Sequence, residues 1–282
     1  MDKIIGLGQA GCRIAKAFEK YPQYECYCFD AEPHKADRFV LVPKQNSHEA
    51  YEEACPSYDA ELGRLEGDVL FVLGGGGTIS GMCLRLLEQV ARRARSVSLL
   101  YIRPDVSLLG ETRKLQERVT YMVLQEYTRS GVFKKMIIID NAELESILGE
   151  LPIIGYHDKM NEVVVSTIHM MNVFENTKSV DDTFASLPET ARIVTIGLLD
   201  VENNKENMFF PLENLREVRY YYAISEKELS RSSGLFRTIK ENVKNRASEE
   251  VTACYGIYST NYDQNYGYLA HFSSHIQDDK KS

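Results

Sequence analysis

Four consecutive glycines, Gly74 to Gly77, stand between an apolar run and a segment with helical periodicity. The run is Val69-Leu70-Phe71-Val72-Leu73; the segment extends from Met82 to Ala94, after Thr78-Ile79-Ser80-Gly81. A short apolar run bounded by turn residues reads as a buried strand, so the order is strand, glycine loop, helix. Glycine lacks the Cβ that would keep backbone N–H groups away from an anion. The helix that follows adds unpaired amides and the positive end of its dipole. Thr78 and Ser80 add hydroxyl donors. The combination favours phosphate over a plain flexible loop, which glycine clusters also mark. No lysine follows the last glycine, so this is not a Walker A loop.

The same theme opens the chain. Lys3-Ile4-Ile5-Gly6-Leu7-Gly8 is a short strand breaking into glycines, followed by Gln9, Ala10, Gly11 and an amphipathic helix from Cys12 to about Lys20. Gly6-x-Gly8-x-x-Gly11 fits the dinucleotide fingerprint of a first strand–helix turn, which nucleoside triphosphate sites share. A second strand, Tyr24 to Phe29, ends in Asp30 and Glu32. Acids there suit a ribose or a hydrated Mg²⁺, or else a solvated turn with a helix cap. Residues 33–67 are polar and loop-like, with one short strand at Val40-Leu41-Val42. Val97 to Ile102 and Lys135 to Ile139 are further buried strands flanking a long helix from Glu111 to Tyr127. Asp140-Asn141 then lies at a strand's carboxyl end, where open α/β sheets bind ligands. The alternation predicts a doubly wound α/β domain with a parallel sheet.

Asn161 to about Asn176 reads as one long central helix, with His169 packed in a core or interface rather than acting as a ligand. A polar loop, Thr177 to Thr183, follows. Strands at Arg192 to Leu199 and Val218 to Ile224, a charged helix from Gly234 to Ala247, and two strands paired with each other, Thr252 to Ser259 and Tyr266 to Phe272, predict a smaller α+β C-terminal domain. The tyrosines of this half are read as strand and interface residues, not base-stacking platforms. The net charge of −8 argues against a surface made for nucleic acid. The six cysteines form no CxxC pair and no metal spacing with histidine, and read as reduced core residues of a cytoplasmic protein. No signal peptide or membrane-length apolar span is evident.

Taken together, the motifs resemble those of the tubulin/FtsZ superfamily of GTP-binding filament proteins. Gly75-Gly76-Gly77-Thr78-Ile79-Ser80-Gly81 matches the signature G-G-G-T-G-[ST]-G except at Ile79. Gly8-Gln9-Ala10-Gly11-Cys12 is similar to the first turn of that family, and Asp30-Ala31-Glu32-Pro33 to its D-L-E-P segment. Leu109-Gly110-Glu111-Thr112-Arg113 resembles E-G-x-x-R, with Leu109 replacing the glutamate. Asp140-Asn141 resembles P-N-D, and Asn161-Glu162-Val163 resembles N-D-V at the start of the central helix. The resemblance covers roughly residues 3–200. It implies phosphate loops at Gly8–Gly11 and Gly75–Gly81, nucleotide contact by Arg113, guanine contacts by Asn141 and Asn161, and Mg²⁺ attended by Gln9, Asp30 and Glu32. It also implies a loop after the central helix whose acids, Asp181 or Asp182, act on the GTP of the next subunit. Phe184 occupies the place of that loop's second acid.

The expectations are therefore a nucleotide-binding domain over residues 1–160, a central helix and catalytic-type loop over 161–185, an α+β domain over 186–276 and a tail over 277–282. The implied function is GTP/GDP binding, self-assembly into a longitudinal homopolymer and GTP hydrolysis between subunits, without direct nucleic-acid or membrane partners. Two other readings remain open. One is a Rossmann-type NAD(P)-dependent oxidoreductase, which leaves the tetraglycine loop unexplained. The other is a nucleotide-binding regulator that does not polymerise.

Overall fold

The structure is a computed structural model in which residues 1–63 and 65–278 are described. In the first half, β1 (Lys3–Leu7), α1 (Gly8–Phe18), β2 (Glu25–Asp30), β3 (Phe39–Leu41), α2 (His48–Glu53), α3 (Asp59–Leu62), β4 (Asp68–Gly74), α4 (Cys83–Ala91), β5 (Ser96–Arg103), α5 (Glu111–Arg129), β6 (Met136–Asp140), α6 (Asn141–Leu148) and α7 (Tyr156–Glu175) follow one another. The second half comprises β7 (Asp181–Asp182), β8 (Ile193–Asp200), β9 (Lys205–Met208), β10 (Leu215–Ser225), α8 (Glu226–Arg231), α9 (Leu235–Arg246), β11 (Thr252–Thr260) and β12 (Tyr266–Ser273).

One sheet runs through the whole molecule in the order β3-β2-β1-β4-β5-β6-β8-β12-β10-β11-β7, with β9 paired to β8. The strands from β3 to β8 are parallel. Val69 to Leu73 of β4 are at most 1% exposed, as expected for a parallel strand covered on both faces. Each such side chain contributes about 1.5–3 kcal/mol by leaving water. On one face lies a core built from α1, α7 and their strands, with Phe18, Ile168 and Phe174. The other face holds α4 and α5, with Leu86, Leu87 and Leu124. A third core packs α9 on β10 and β11 through Ile239 and Val243. Because α1 and α4 cover opposite faces while β1 and β4 are neighbours, the winding reverses between these two strands. This is the topological switch point at which open α/β sheets form their ligand crevice.

Several local expectations change. The supposed loop over 33–67 contains α2 and α3, and its strand is Phe39–Leu41. The helix after the glycines begins as a 3-10 turn, Thr78–Met82, before α4. The central helix starts earlier than expected, at Tyr156, so Asn161 lies in its second turn. β11 and β12 do not pair with each other. The long strand β10 lies between them, parallel to β11 and antiparallel to β12. Gln277 is not part of a loose tail. It is 3% exposed, its backbone N–H donates to Gln125 at 2.8 Å, and its side-chain oxygen accepts from the Glu213 N–H at 2.8 Å. Residues 279–282 of the tail lie outside the described residues. Tyr220, Tyr221, Tyr222, Tyr255 and Tyr258 are strand residues as read, but buried in the core, whereas Tyr262 and Tyr266 are exposed; all six cysteines are free thiols.

Candidate functional site

Three glycine-bearing segments meet at the carboxyl ends of β1, β4 and β5. The first is the β1–α1 turn. Gly8 has φ +69, and a Cβ built there would lie 2.7 Å from the Ile79 methyl. Ile79, which replaces a glycine of the family signature, thus rests on the first loop and locks the two together. A Cβ on Gly74 would likewise meet Ala10 at 2.9 Å. The third segment, Pro104 to Gly110, covers the tetraglycine. A Cβ on Gly76, whose φ is +72, would come 3.1 Å from Leu109 Cδ1. Leu109, the residue standing where the family has glutamate, is therefore an apolar cover over the glycine loop.

The helices starting here carry no side-chain cap. Neither α1 after Leu7, the 3-10 turn after Gly77 nor α5 after Gly110 has its first amides bonded to a capping side chain. Helix N-termini left in this state are ready for an anion. By contrast, Asp140 caps α6, accepting from Ala142 N–H at 2.8 Å.

The polar side chains assigned from sequence fall into three groups. Gln9, Thr78, Arg113, Asn141 and Asn161 belong to the loops and helix starts at this edge, and none makes a side-chain hydrogen bond within the described residues. Gln9 and Arg113 are exposed; Thr78, Asn141 and Asn161 are half-buried. Ser80 differs: it is 3% exposed and its hydroxyl donates to the Gly77 carbonyl at 2.6 Å, shaping the loop from within. Asp30 and Glu32 diverge. Glu32 is exposed and pairs with Lys44 at 2.6 Å. The buried Asp30 accepts from the Ala31 N–H at 2.7 Å and contacts His34 Nε2 at 2.5 Å.

Beneath the glycine loop is a cluster that sequence reading missed. Tyr101 donates to Glu117 at 3.1 Å, and Arg103 stands 3.6 Å from Glu117 and 3.9 Å from Asp140. A Cβ on Gly75 would collide with the Tyr101 hydroxyl and Glu117. Burial raises the pKa values of Glu117 and Asp140, against the lowering pull of the Arg103 cation. The one sequence signal was Arg103 ending an otherwise apolar strand.

Asp181 and Asp182 are at the opposite end of the molecule. The helix α7 runs from the loop edge to the other edge, where Asn172 donates to the Met1 carbonyl at 3.2 Å and Glu175 approaches Lys135 at 3.8 Å. There the expected polar loop contains β7, which pairs with β11. Tyr255 donates to Asp181 at 2.7 Å, and Ser179 to Asp182. Phe184 anchors this segment: its ring lies against Gly256, 5.2 Å from the Tyr221 ring and 5.3 Å from the Arg219 guanidinium. Packing thus accounts for an aromatic where the family has an acid. Both aspartates stay exposed. His169 stacks on Tyr21 at 3.6 Å, tying α7 to the α1–β2 turn as a packing residue.

The winding, the long α7 and the appended antiparallel strands define a tubulin/FtsZ-like fold. Solved structures of that fold align along nearly the whole chain. A GTPγS-form protofilament of Bacillus thuringiensis serovar israelensis TubZ is 17% identical, with a TM-score of 0.71 over 95% of this chain and 87% of that one. CetZ2 from Haloferax volcanii, in a GTPγS-bound protofilament, is 16% identical, with a TM-score of 0.67 over 97% and 93%. An empty FtsZ dimer from M. jannaschii gives 14% identity and a TM-score of 0.67 over 96% and 88%. No family model matches the sequence, and no curated protein matches it either.

Proposed function

We propose that the chain binds GTP and GDP at the three-loop edge and self-assembles head to tail, with hydrolysis completed between copies. One observation carries the reading. Five polar side chains without side-chain hydrogen bonds among the described residues share the switch-point edge with three uncapped helix N-termini. The uncapped amides of the Gly8–Gly11 and Gly75–Gly81 segments would take the phosphates, with Arg113 neutralising charge. Asn141 and Asn161 would read guanine, since an amide offers both donor and acceptor. Mg²⁺, which prefers oxygen ligands, suits Gln9, exposed and without a hydrogen-bond partner among the described residues. Asp30 and Glu32, already engaged by His34 and Lys44, fit it poorly. When bound, Mg²⁺ would supply charge neutralisation on the phosphates. Asp181 and Asp182 lie at the opposite edge from the phosphate loops, so they would act on the nucleotide of an adjacent copy by orienting the attacking water. The filament structures of TubZ and CetZ support this arrangement. The test is a titration of GTP against ATP, followed by phosphate release and light scattering across protein concentrations. Preference for GTP with a specific rate that rises at the assembly threshold is expected. Equal affinity for ATP, or a rate independent of concentration, overturns the reading.

A further inference from the structure

Where β2 ends against the start of α1, three side chains of different chemistry meet: the Cys12 thiol, the Asp30 carboxylate and the His34 imidazole. One ligand atom from each lies within 4.8 Å of the others. Cys12 is 1% exposed, Asp30 6%; His34 is half-buried and opens the cluster toward solvent. Each residue belongs to a different piece of chain: the helix start, the strand end and the loop beyond it.

We propose that Cys12, Asp30 and His34 form a binding site for a thiophilic divalent cation of the Zn²⁺ type, with water as fourth ligand. Sulfur and imidazole select Zn²⁺ over Mg²⁺, and three protein ligands plus water is a recognised four-coordinate arrangement for zinc. Charge supports the assignment: a thiolate and a carboxylate together cancel a divalent ion, leaving imidazole as the neutral ligand. That balance matters in a buried setting, where an uncompensated charge is costly. The thiol contacts the Gly6 carbonyl at 3.6 Å and that of Phe29 at 3.5 Å; the neighbouring Cys28 thiol, burial and the Asp30 carboxylate hold it protonated without an ion, and its proton leaves for solvent only as the sulfur–metal bond forms. The 2.5 Å contact between His34 and Asp30 must open slightly to admit the ion. The ion would tie the loop after β2 to the helix that begins at Gly8. This site stands on its own ligand set and does not depend on nucleotide binding.

The test uses the full chain, free of nucleotide and stripped with chelator, titrated with Zn²⁺ and separately with Co²⁺. One equivalent should bind, and Co²⁺ should show a thiolate charge-transfer band with tetrahedral d–d bands. Cys12→Ser should abolish the charge-transfer band. His34→Ala, at a half-exposed position, should keep the fold by circular dichroism and weaken binding by about tenfold or more. Cys55→Ser removes the only one of the six cysteines that is not fully buried, and should change nothing. Absence of binding, retention of full affinity in His34→Ala, or loss of binding in Cys55→Ser overturns the proposal. If Cys12→Ser fails to fold, His34→Ala decides.

Discussion

Replacing the third and fourth glycines of the loop by alanine separates backbone strain from ligand exclusion. Gly76 has φ +72. An L residue in the left-handed region costs roughly 1–2 kcal/mol. The new methyl would also crowd Leu109 Cδ1 at 3.1 Å, a flexible tip that can move aside. Gly77 has φ −85 and ψ 141, a backbone any L residue adopts, and its Cβ would meet nothing within 4 Å. Gly→Ala at such a position is stabilising by about 0.4–1 kcal/mol. Gly76→Ala should therefore lower Tm by about 2–8 °C, taking about 2–4 °C per kcal/mol for a chain of this order of size. Gly77→Ala should leave Tm unchanged or slightly raised. Both should weaken nucleotide binding, because a methyl beside the phosphates disturbs a backbone hydrogen bond to a charged group. Such a bond contributes about 1.5–3 kcal/mol, or about 10- to 150-fold in affinity. Thermal melts and titration with a fluorescent GTP analogue measure the two effects independently. A Gly77→Ala protein that melts like the parent and binds GTP equally well would refute the assignment of this open space to phosphate.

Three further outcomes follow from the same geometry. Asn141→Ala and Asn161→Ala should each weaken GTP binding by about 1 kcal/mol, roughly fivefold, with ATP binding little changed, as read by competition titration. Asp181→Ala or Asp182→Ala should lower steady-state phosphate release while leaving single-copy GTP affinity intact; loss of affinity would place these residues elsewhere in the mechanism. Glu206 is half-buried, and its desolvation alone would raise its pKa, but His271 at 3.2 Å, the Tyr220 hydroxyl and Arg246 hold it at about 2 against an ordinary 4.5. A depressed carboxylate contributes stability that is present above the unfolded value and lost as pH falls through the folded one. Stability should therefore decline from about pH 4.5 toward pH 2, and Glu206→Gln should flatten that part of a urea-denaturation pH profile.

Much of the first half was legible because its signals are local. A continuous apolar run such as Val69 to Leu73 fits a buried parallel strand, and the glycines that follow mark its carboxyl end. Long-range pairing left no such trace. Two strands separated by Asn261 to Asn265 look like a hairpin, yet β10 contributes an eleven-residue strand between them, and nothing in its sequence says which neighbours it takes. Helix starts also misled. Asn161 resembles a family residue at a helix beginning, but Tyr156 follows Gly155, whose φ of +79 sets the start earlier. At the site, the glycines were readable as types of residue, whereas their partners were not. That Leu109 covers Gly76, or that Phe184 fills the space beside Gly256, depends on folding that brings distant residues together. Cys12 and His34 read as a core thiol and a loop residue for the same reason, and only β2 brings Asp30 between them.

The two margins of the sheet have a consequence for how copies can meet. One is closed by β3, three residues long, and the other by β7, with two. Strands this short present few free backbone groups to another chain, a common protection against edge-to-edge pairing. Leu41 and Val180 are exposed at or beside these margins, at 61% and 60%, but a side chain alone does not template a ladder. Sheet-on-sheet growth sideways is thereby discouraged, which leaves the ends of the strands to any contact between copies. Those ends differ in kind, with the glycine loops at one and the carboxyl end of α7, with Asn172 and Glu175, at the other. A contact of that sort joins unlike surfaces. Unless a rotation closed it into a ring, it would repeat without limit and give an assembly a direction.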